Sequence, residues 1–244
     1  MDTSITELIV DPAAWVALVT LIAMEIILGI DNLIFISILT NKLPAHQRVR
    51  ARRIGIGLAL ILRLGLLGTV AFIVQLTAPI FSVFGQDFSW RDLILIAGGL
   101  FLLYKSTKEI YHKTEMANVP VIKAPSNAGF SQLLGEIILL DLVFSVDSII
   151  TAVGMVQELW VMYAAVIITV VIMMLASGPI SSFISRHPSF KILALCFLLM
   201  IGVALLADGL GFHIPKGYIY FSMAFAFLVD VIQMRTVGKN ARVE

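Results

Sequence analysis

Two acidic motifs inside long apolar stretches carry the residues best suited to chemistry. Both read as an acid, five residues, an aspartate and then a small polar residue. Their members are Glu25, Asp31 and Asn32 in the first motif, and Asp141, Asp147 and Ser148 in the second. An ionised side chain at the centre of a bilayer costs about 2.5–3.5 kcal/mol or more, so such residues are paired or functional. Carboxylate, amide and hydroxyl oxygens without sulfur or imidazole suit hard or borderline divalent ions. We therefore interpret the motifs as two halves of one intramembrane cation site for Mn²⁺, Mg²⁺ or Ca²⁺.

Two further acids, Glu136 and Asp230, also fall in predicted spans and are candidates for an additional metal or proton site. Arg63 is the one cation inside a predicted span, and we expect it to be a structural counter-charge to a carboxylate. Six acids against one cation predict either protonated carboxylates or a bound cation. Because six residues of an ideal helix turn through about 600°, the two acids of one motif lie about 120° apart. Local unwinding at Gly29 or Ser145 would bring them together.

The composition is that of a polytopic membrane protein. Of 244 residues, 59% are hydrophobic and only 14% are charged, against about 25% charged in soluble domains. The single cysteine, Cys196, excludes an intrachain disulfide and a thiolate cluster. The four histidines lie in polar connections, which argues against a buried imidazole site: His46, His112, His187 and His213. The first ten residues lack the basic region of a signal peptide, so we expect the first span to be retained.

Seven transmembrane helices are predicted when a span is taken to need about 20 apolar residues. They cover about 13–39, 54–76, 88–104, 130–156, 160–183, 192–207 and 218–234. Lys and Arg gather in the first, third and fifth connections and in the C-terminal tail, whereas the opposite side has only Arg91, which opens the third span, and Lys216. By the positive-inside rule, the N-terminus faces outside and the C-terminus the cytoplasm. Topology thus accounts for the basic first connection, and no nucleic-acid partner is expected.

The chain is predicted to be a single all-α membrane domain over 1–244, built from an inverted 3+3 repeat and one extra helix. The first repeat covers about 13–112, a Pro-, Ser- and Gly-containing linker about 113–129, the second repeat about 130–210 and the seventh helix about 217–236. Halves with an odd number of spans enter the membrane in opposite directions. Inverted repeats of this kind place substrate sites near the midplane.

The stretch from Glu25 to Asn32, the basic connection with Arg52 and Arg53, and the stretch from Asp141 to Ser148 closely resemble the TerC family of integral membrane proteins. The resemblance implies the inner membrane of a bacterium, kinship with LysE-type transporters and Mn²⁺ efflux. It also implies site residues by motif match: Asp31, Asn32, Asp147 and Ser148 first, then Glu25 and Asp141.

The leading hypothesis is a secondary transporter that exports a divalent cation, with Mn²⁺ as substrate and no resident cofactor. Moving two charges outward against a negative-inside potential costs about 4.6 kcal/mol per 100 mV, twice the single-charge figure. This cost predicts a driving force, for which inward proton flow is a candidate. Two alternatives stay open: an intramembrane aspartyl protease using Asp31 and Asp147, and a non-transporting factor that senses metal or assists secretion. We expect no enzymatic activity. The sequence leaves ion identity, coupling and oligomeric state open.

Overall fold

The computed structural model describes residues 12–83, 85–115, 129–156 and 158–240. Within these ranges the side chains of Asp31, Ala71, Val83, Pro188 and 236–240 fall outside the description. The described part is mostly helical. Its elements are α1 (Pro12–Thr40), α2 (Ala45–Gly68), α3 (Val70–Gln75), β1 (Pro79–Val83), β2 (Gln86–Ser89), α4 (Trp90–Thr114), α5 (Phe130–Met155), α6 (Leu159–Arg186), α7 (Pro188–Gly209) and α8 (Lys216–Asn240).

Five of the described helices are long and apolar enough to cross a membrane: α1, α5, α6, α7 and α8. Helices are the expected form because lipid offers no hydrogen-bond partners to the backbone. The predicted second span is divided, since α2 ends at Gly68 and α3 begins at Val70. The apolar run of α4, from Leu93 to Tyr104, is only 12 residues long and has charged residues on both sides.

A short antiparallel hairpin fills the connection before α4, where an all-α chain was predicted. Strands β1 and β2 form this hairpin, and the ring of Phe81 stacks on that of Phe88 with 5.4 Å between the ring centroids. Gly85 at the turn has φ +80°, a conformation that glycine adopts without strain. Ser89 then caps α4 in a capping box with Asp92. The hairpin therefore fixes where α4 begins, and with it the position of Arg91.

Helices α1 and α5 pack in opposite directions. Leu18 and Leu21, early in α1, share a hydrophobic cluster with Ile149, late in α5. Leu33, late in α1, shares a second cluster with Leu133, early in α5. The middles of the two helices, which hold Glu25 and Asp141, therefore lie at the same level.

Glycines bring α4 and α7 into close contact. A Cβ atom added to Gly99 would lie 2.7 Å from the carbonyl oxygen of Gly202, and one added to Gly209 would lie 2.7 Å from the carbonyl oxygen of Asp92. Gly98, on the next position of α4, faces Val143 of α5. Gly98 and Gly99 therefore allow close helix packing, because a side chain at either position would clash with the neighbouring helix.

Replacement of Gly99 by valine is expected to lower the free energy of unfolding by about 1–3 kcal/mol, as overpacking usually does. The clash would fall on backbone atoms of α7, which cannot rotate away. Gly57 of α2 has no atom within 4 Å of an added Cβ, so Gly57→Val is the matched control. Unfolding of the two purified variants in detergent tests this, and equal stability would contradict the packing.

Candidate functional site

The centre of the molecule is an ionic cluster on three helices. Arg63 of α2 donates from Nη1 to Oε2 of Glu25 on α1 at 2.5 Å, and its Nη2 lies 3.5 Å from Oδ1 of Asp141 on α5. Its Nε donates to the hydroxyl of Ser145 at 3.1 Å, and that hydroxyl donates to Oδ2 of Asp141 at 3.1 Å. All four residues are buried, at 0–5% exposure. Arg63 is therefore paired with one carboxylate from each acidic motif.

Helix packing explains why these groups meet. Helix α2 runs alongside α5 in the same direction. Gly55 packs against Ile137, and Arg63, two turns after Gly55, contacts Ser145, two turns after Ile137. Ser145 stands one turn after Asp141, so both face the guanidinium. Helix α1 completes the cluster from the other side with Glu25. One carboxylate from each acidic motif thus reaches the same cation.

The second acid of the second motif has its own partners. Oδ1 of Asp147 accepts from Nη2 of Arg91 at 2.6 Å, and Oδ2 accepts from Nζ of Lys216. Arg91 lies in the first turn of α4 and Lys216 begins α8, so both reach in from helix ends. Sequence reasoning assigned these two cations only to topology. The signal that was available is that they are the only Lys or Arg residues on the side of the membrane that the sequence predicts to be poor in basic residues.

A cavity of about 40 Å³ adjoins Asp147, where 10–15 Å³ is enough for one water molecule. We call it the Asp147 cavity. Its polar lining includes Asp147, Ser148, Asp208 and Lys216, together with Arg63 from the central cluster. Asp208 was missed because the predicted sixth span ends at residue 207, whereas α7 continues to Gly209.

The remaining predicted site residues have different surroundings. Ser148 is buried and its hydroxyl donates to the carbonyl of Ser145 at 3.3 Å. Glu136 is not part of the central cluster, since it pairs with Lys105 at 2.5 Å. Asn32 and Asp230 are buried, and within the described part of the chain Nδ2 of Asn32 and Oδ2 of Asp230 have no hydrogen-bond partner. The side chain of Asp31 lies outside the described residues.

Two expectations need correction. The acids are not opposed by Arg63 alone, because Arg91, Lys216 and Lys105 also pair with them. The charge excess is therefore a weaker argument for a bound cation than the sequence suggested. The helices are also not unwound at Gly29 or Ser145, since α1 and α5 are continuous through both positions.

The described residues alone do not form a cluster of metal ligands. Among them, no three His, Cys, Asp or Glu side chains lie close enough together to hold one ion. The described residues instead form two ionic clusters, one around Arg63 and one around Asp147. In each cluster the carboxylates are paired with basic side chains of the chain itself. Such clusters can release carboxylate oxygens if the cations move.

Comparison with known proteins places the chain. A family model described as "Integral membrane protein TerC family" matches residues 10–243. The chain belongs to the TerC family. Its TerC relatives include the "UPF0053 inner membrane protein YgdQ" of Escherichia coli, 47% identical over 232 residues, which cover 95% of this chain and 97% of that protein. A "UPF0053 protein" of Haemophilus influenzae is 49% identical over 229 residues, covering 94% and 97% of the two chains.

A longer TerC-family relative is also similar. The "UPF0053 inner membrane protein YoaE" of E. coli is 49% identical over 225 residues, or 92% of this chain, but this chain spans only 43% of YoaE. No solved structure matches. Two of these relatives are named inner membrane proteins, and the chain has several membrane-length apolar helices. A multi-pass protein of the inner membrane fits both findings.

Proposed function

We propose that this TerC-family chain transports a hard divalent cation across the inner membrane, with Mn²⁺ as substrate and efflux as direction. One observation carries the proposal: buried carboxylates of two oppositely directed helices, Glu25 and Asp141, converge on one guanidinium. Intramembrane ionisable groups are rare, and those that face the bundle interior typically mark ion pathways or proton relays. The oxygen-rich motifs suit Mn²⁺ better than a soft ion.

The inverted repeat is supported by which helices pack together. If α1, α2 and α4 correspond to α5, α6 and α7, a twofold axis in the membrane plane pairs α1 with α6, α2 with α5, and α4 with α7. These are extensive contacts in the bundle. The same axis exchanges Glu25 with Asp141 at the bundle centre. Sites of inverted-repeat transporters lie in this region.

Seven spans and an outside N-terminus remain part of the proposal. Helix α2 carries Arg63 into the middle of the bundle, and α4 packs closely against α7. Both would therefore cross the membrane although charged residues shorten their apolar runs. In this topology Glu25, Arg63 and Asp141 lie mid-membrane, and Asp147 lies toward the outside.

Transport would proceed by exchange of cations on the same carboxylates. In the structure Arg63 forms ion pairs with Glu25 and Asp141, while Arg91 and Lys216 form ion pairs with Asp147. A divalent ion entering from the cytoplasm would displace the guanidinium from the central acids and then pass to Asp147. The internal cations would neutralise the acids whenever metal is absent, which limits the cost of buried charge.

Proton antiport supplies the driving force in this proposal, given the outward cost of about 4.6 kcal/mol per 100 mV for a double charge. Mn²⁺ uptake into inside-out vesicles is expected to release protons from the lumen, and a protonophore is expected to slow the uptake. The measurement pairs a lumenal pH dye with a Mn²⁺ signal. Mn²⁺ uptake with an unchanged lumenal pH would remove the antiport step and leave the transport proposal standing.

The alternatives make different predictions for one variant. An aspartyl protease needs two aspartates that share a proton, whereas both oxygens of Asp147 accept hydrogen bonds from basic side chains. A metal-sensing factor would bind Mn²⁺ without moving it. Asp147→Asn should therefore alter vesicle Mn²⁺ uptake if the chain is a transporter, peptide processing if it is a protease, and Mn²⁺ binding alone if it is a sensor.

A further inference from the structure

The Asp147 cavity contains oxygen ligands and a competing ammonium side by side. Asp147 and Ser148 come from α5, Asp208 from the end of α7 and Lys216 from the start of α8. Two carboxylates and a hydroxyl, with room for a few water molecules, match what a hard divalent ion coordinates. Lys216 already places a positive charge on Oδ2 of Asp147.

Asp208 points to a ligand independently of the acidic motifs. It is 8% exposed and lines the cavity, yet its Oδ1 has no hydrogen-bond partner among the described residues. The nearest basic side chain is His213, whose Nδ1 lies 3.4 Å from that oxygen on an imidazole that is 81% exposed. A buried carboxylate oxygen without a hydrogen bond is costly and calls for an explanation. A cation in the cavity would satisfy it.

The two cations on Asp147 differ in their freedom to leave. Arg91 sits in the first turn of α4 beside Asp92, whose capping box fixes that helix end. Lys216 begins α8, which is the least buried of the five membrane-length apolar helices, and its side chain is 31% exposed. A lysine side chain is a flexible point charge, whereas arginine holds a fixed fork geometry. Lys216 is therefore the cation that can withdraw and uncover Oδ2 of Asp147.

We infer that the Asp147 cavity is the outer release site for the divalent cation, with Asp147, Ser148 and Asp208 as its oxygen ligands and Lys216 as a tethered competitor. When the metal arrives, the ammonium swings out to solvent. When the ammonium returns to Oδ2 of Asp147, it displaces the metal ion and prevents the ion from binding to this carboxylate again. This inference rests on the proposed transport function and assigns Asp208 and Lys216 a part in it.

Binding of Mn²⁺ to the purified protein tests the inference directly. Lys216→Met keeps the length of the side chain and removes its charge, so the apparent Kd for Mn²⁺ in calorimetry is expected to fall about tenfold or more. Adding Asp208→Asn to Lys216→Met is expected to reverse that gain. Lys105→Met is the matched control, since Lys105 also pairs with a carboxylate of α5 but outside the cavity. It should leave the Kd unchanged.

The outcomes separate this inference from the transport proposal. An unchanged Kd in Lys216→Met would overturn the competitor role, and a gain that survives Asp208→Asn would overturn the assignment of Asp208 as a ligand. If neither the wild type nor Lys216→Met binds Mn²⁺ while wild-type vesicles still transport it, the cavity site is wrong and the transporter stands. If binding and transport are both absent, the proposed function fails as well.

Discussion

Replacement of Arg63 by methionine is expected to lower the free energy of unfolding by about 3–5 kcal/mol, the usual cost of removing one partner from a buried ion pair. Arg63 is 3% exposed and, within the described part of the chain, is the only basic side chain paired with either Glu25 or Asp141. Its loss would leave two buried carboxylates without a paired cation. Cation transport should be lost as well, because the central acids would no longer be held in place.

Arg53→Met is the control for this prediction, since Arg53 lies on the same helix but is exposed. Denaturant unfolding in detergent should show the large loss for Arg63→Met and little change for Arg53→Met. Adding Glu25→Gln and Asp141→Asn to Arg63→Met should recover much of the stability, because a buried ionic group replaced as a whole is often neutral. Equal stabilities of the two single variants would contradict the cluster.

Asp147→Asn is expected to reduce Mn²⁺ uptake into inside-out vesicles by more than about 100-fold, beyond the 10–100-fold typical of residues that only support a ligand. The variant should fold, because the side chains of Arg91 and Lys216 are 23% and 31% exposed and water can solvate them. Asp147→Asn is therefore expected to lose transport but keep its stability, whereas Arg63→Met is expected to lose both. This difference follows from burial alone.

Asp87→Asn provides the charge control for that measurement. Asp87 is an exposed carboxylate of the β hairpin, away from the spans, and its loss should leave uptake unchanged. Normal uptake by Asp147→Asn would remove Asp147 from the transport path. An equal loss in both variants would indicate an effect of surface charge.

The membrane spans were the most predictable part of the fold. Long apolar runs predicted α1, α5, α6, α7 and α8 closely, because a lipid-facing backbone must form helices. The division of the second span at Thr69 and the hairpin that follows it were missed. Both depend on local backbone turns in a stretch whose hydropathy alone reads as continuous.

The acids were predictable, but their partners were not. Spacing and composition singled out Glu25 and Asp141, and the expected counter-charge role of Arg63 followed from its position in a span. That Arg91 and Lys216 reach Asp147 depends on how the ends of α4 and α8 pack against α5, over sequence separations of 56 and 69 residues. No local pattern encodes such contacts.

Unwinding at Ser145 was expected because backbone carbonyls often serve as ion ligands in transporters. The serine instead uses its hydroxyl to join Arg63 and Asp141 while its helix stays intact. A side chain that satisfies both neighbours removes the need to break the helix. Similarly, Asp208 escaped notice because two further residues of α7 decide whether it faces the cavity or solvent.

The most direct test of the central claim, that acids of both motifs bind a transported divalent cation, is the metal content of cells. A bacterial host deleted for its own TerC-family genes would express the wild type or the Asp31→Asn, Asp147→Asn double variant, with expression matched and elements measured by mass spectrometry. The wild type should lower cellular manganese under manganese load, and the double variant should match the empty vector. Manganese levels that are the same with the wild type, the double variant and the empty vector would contradict the account.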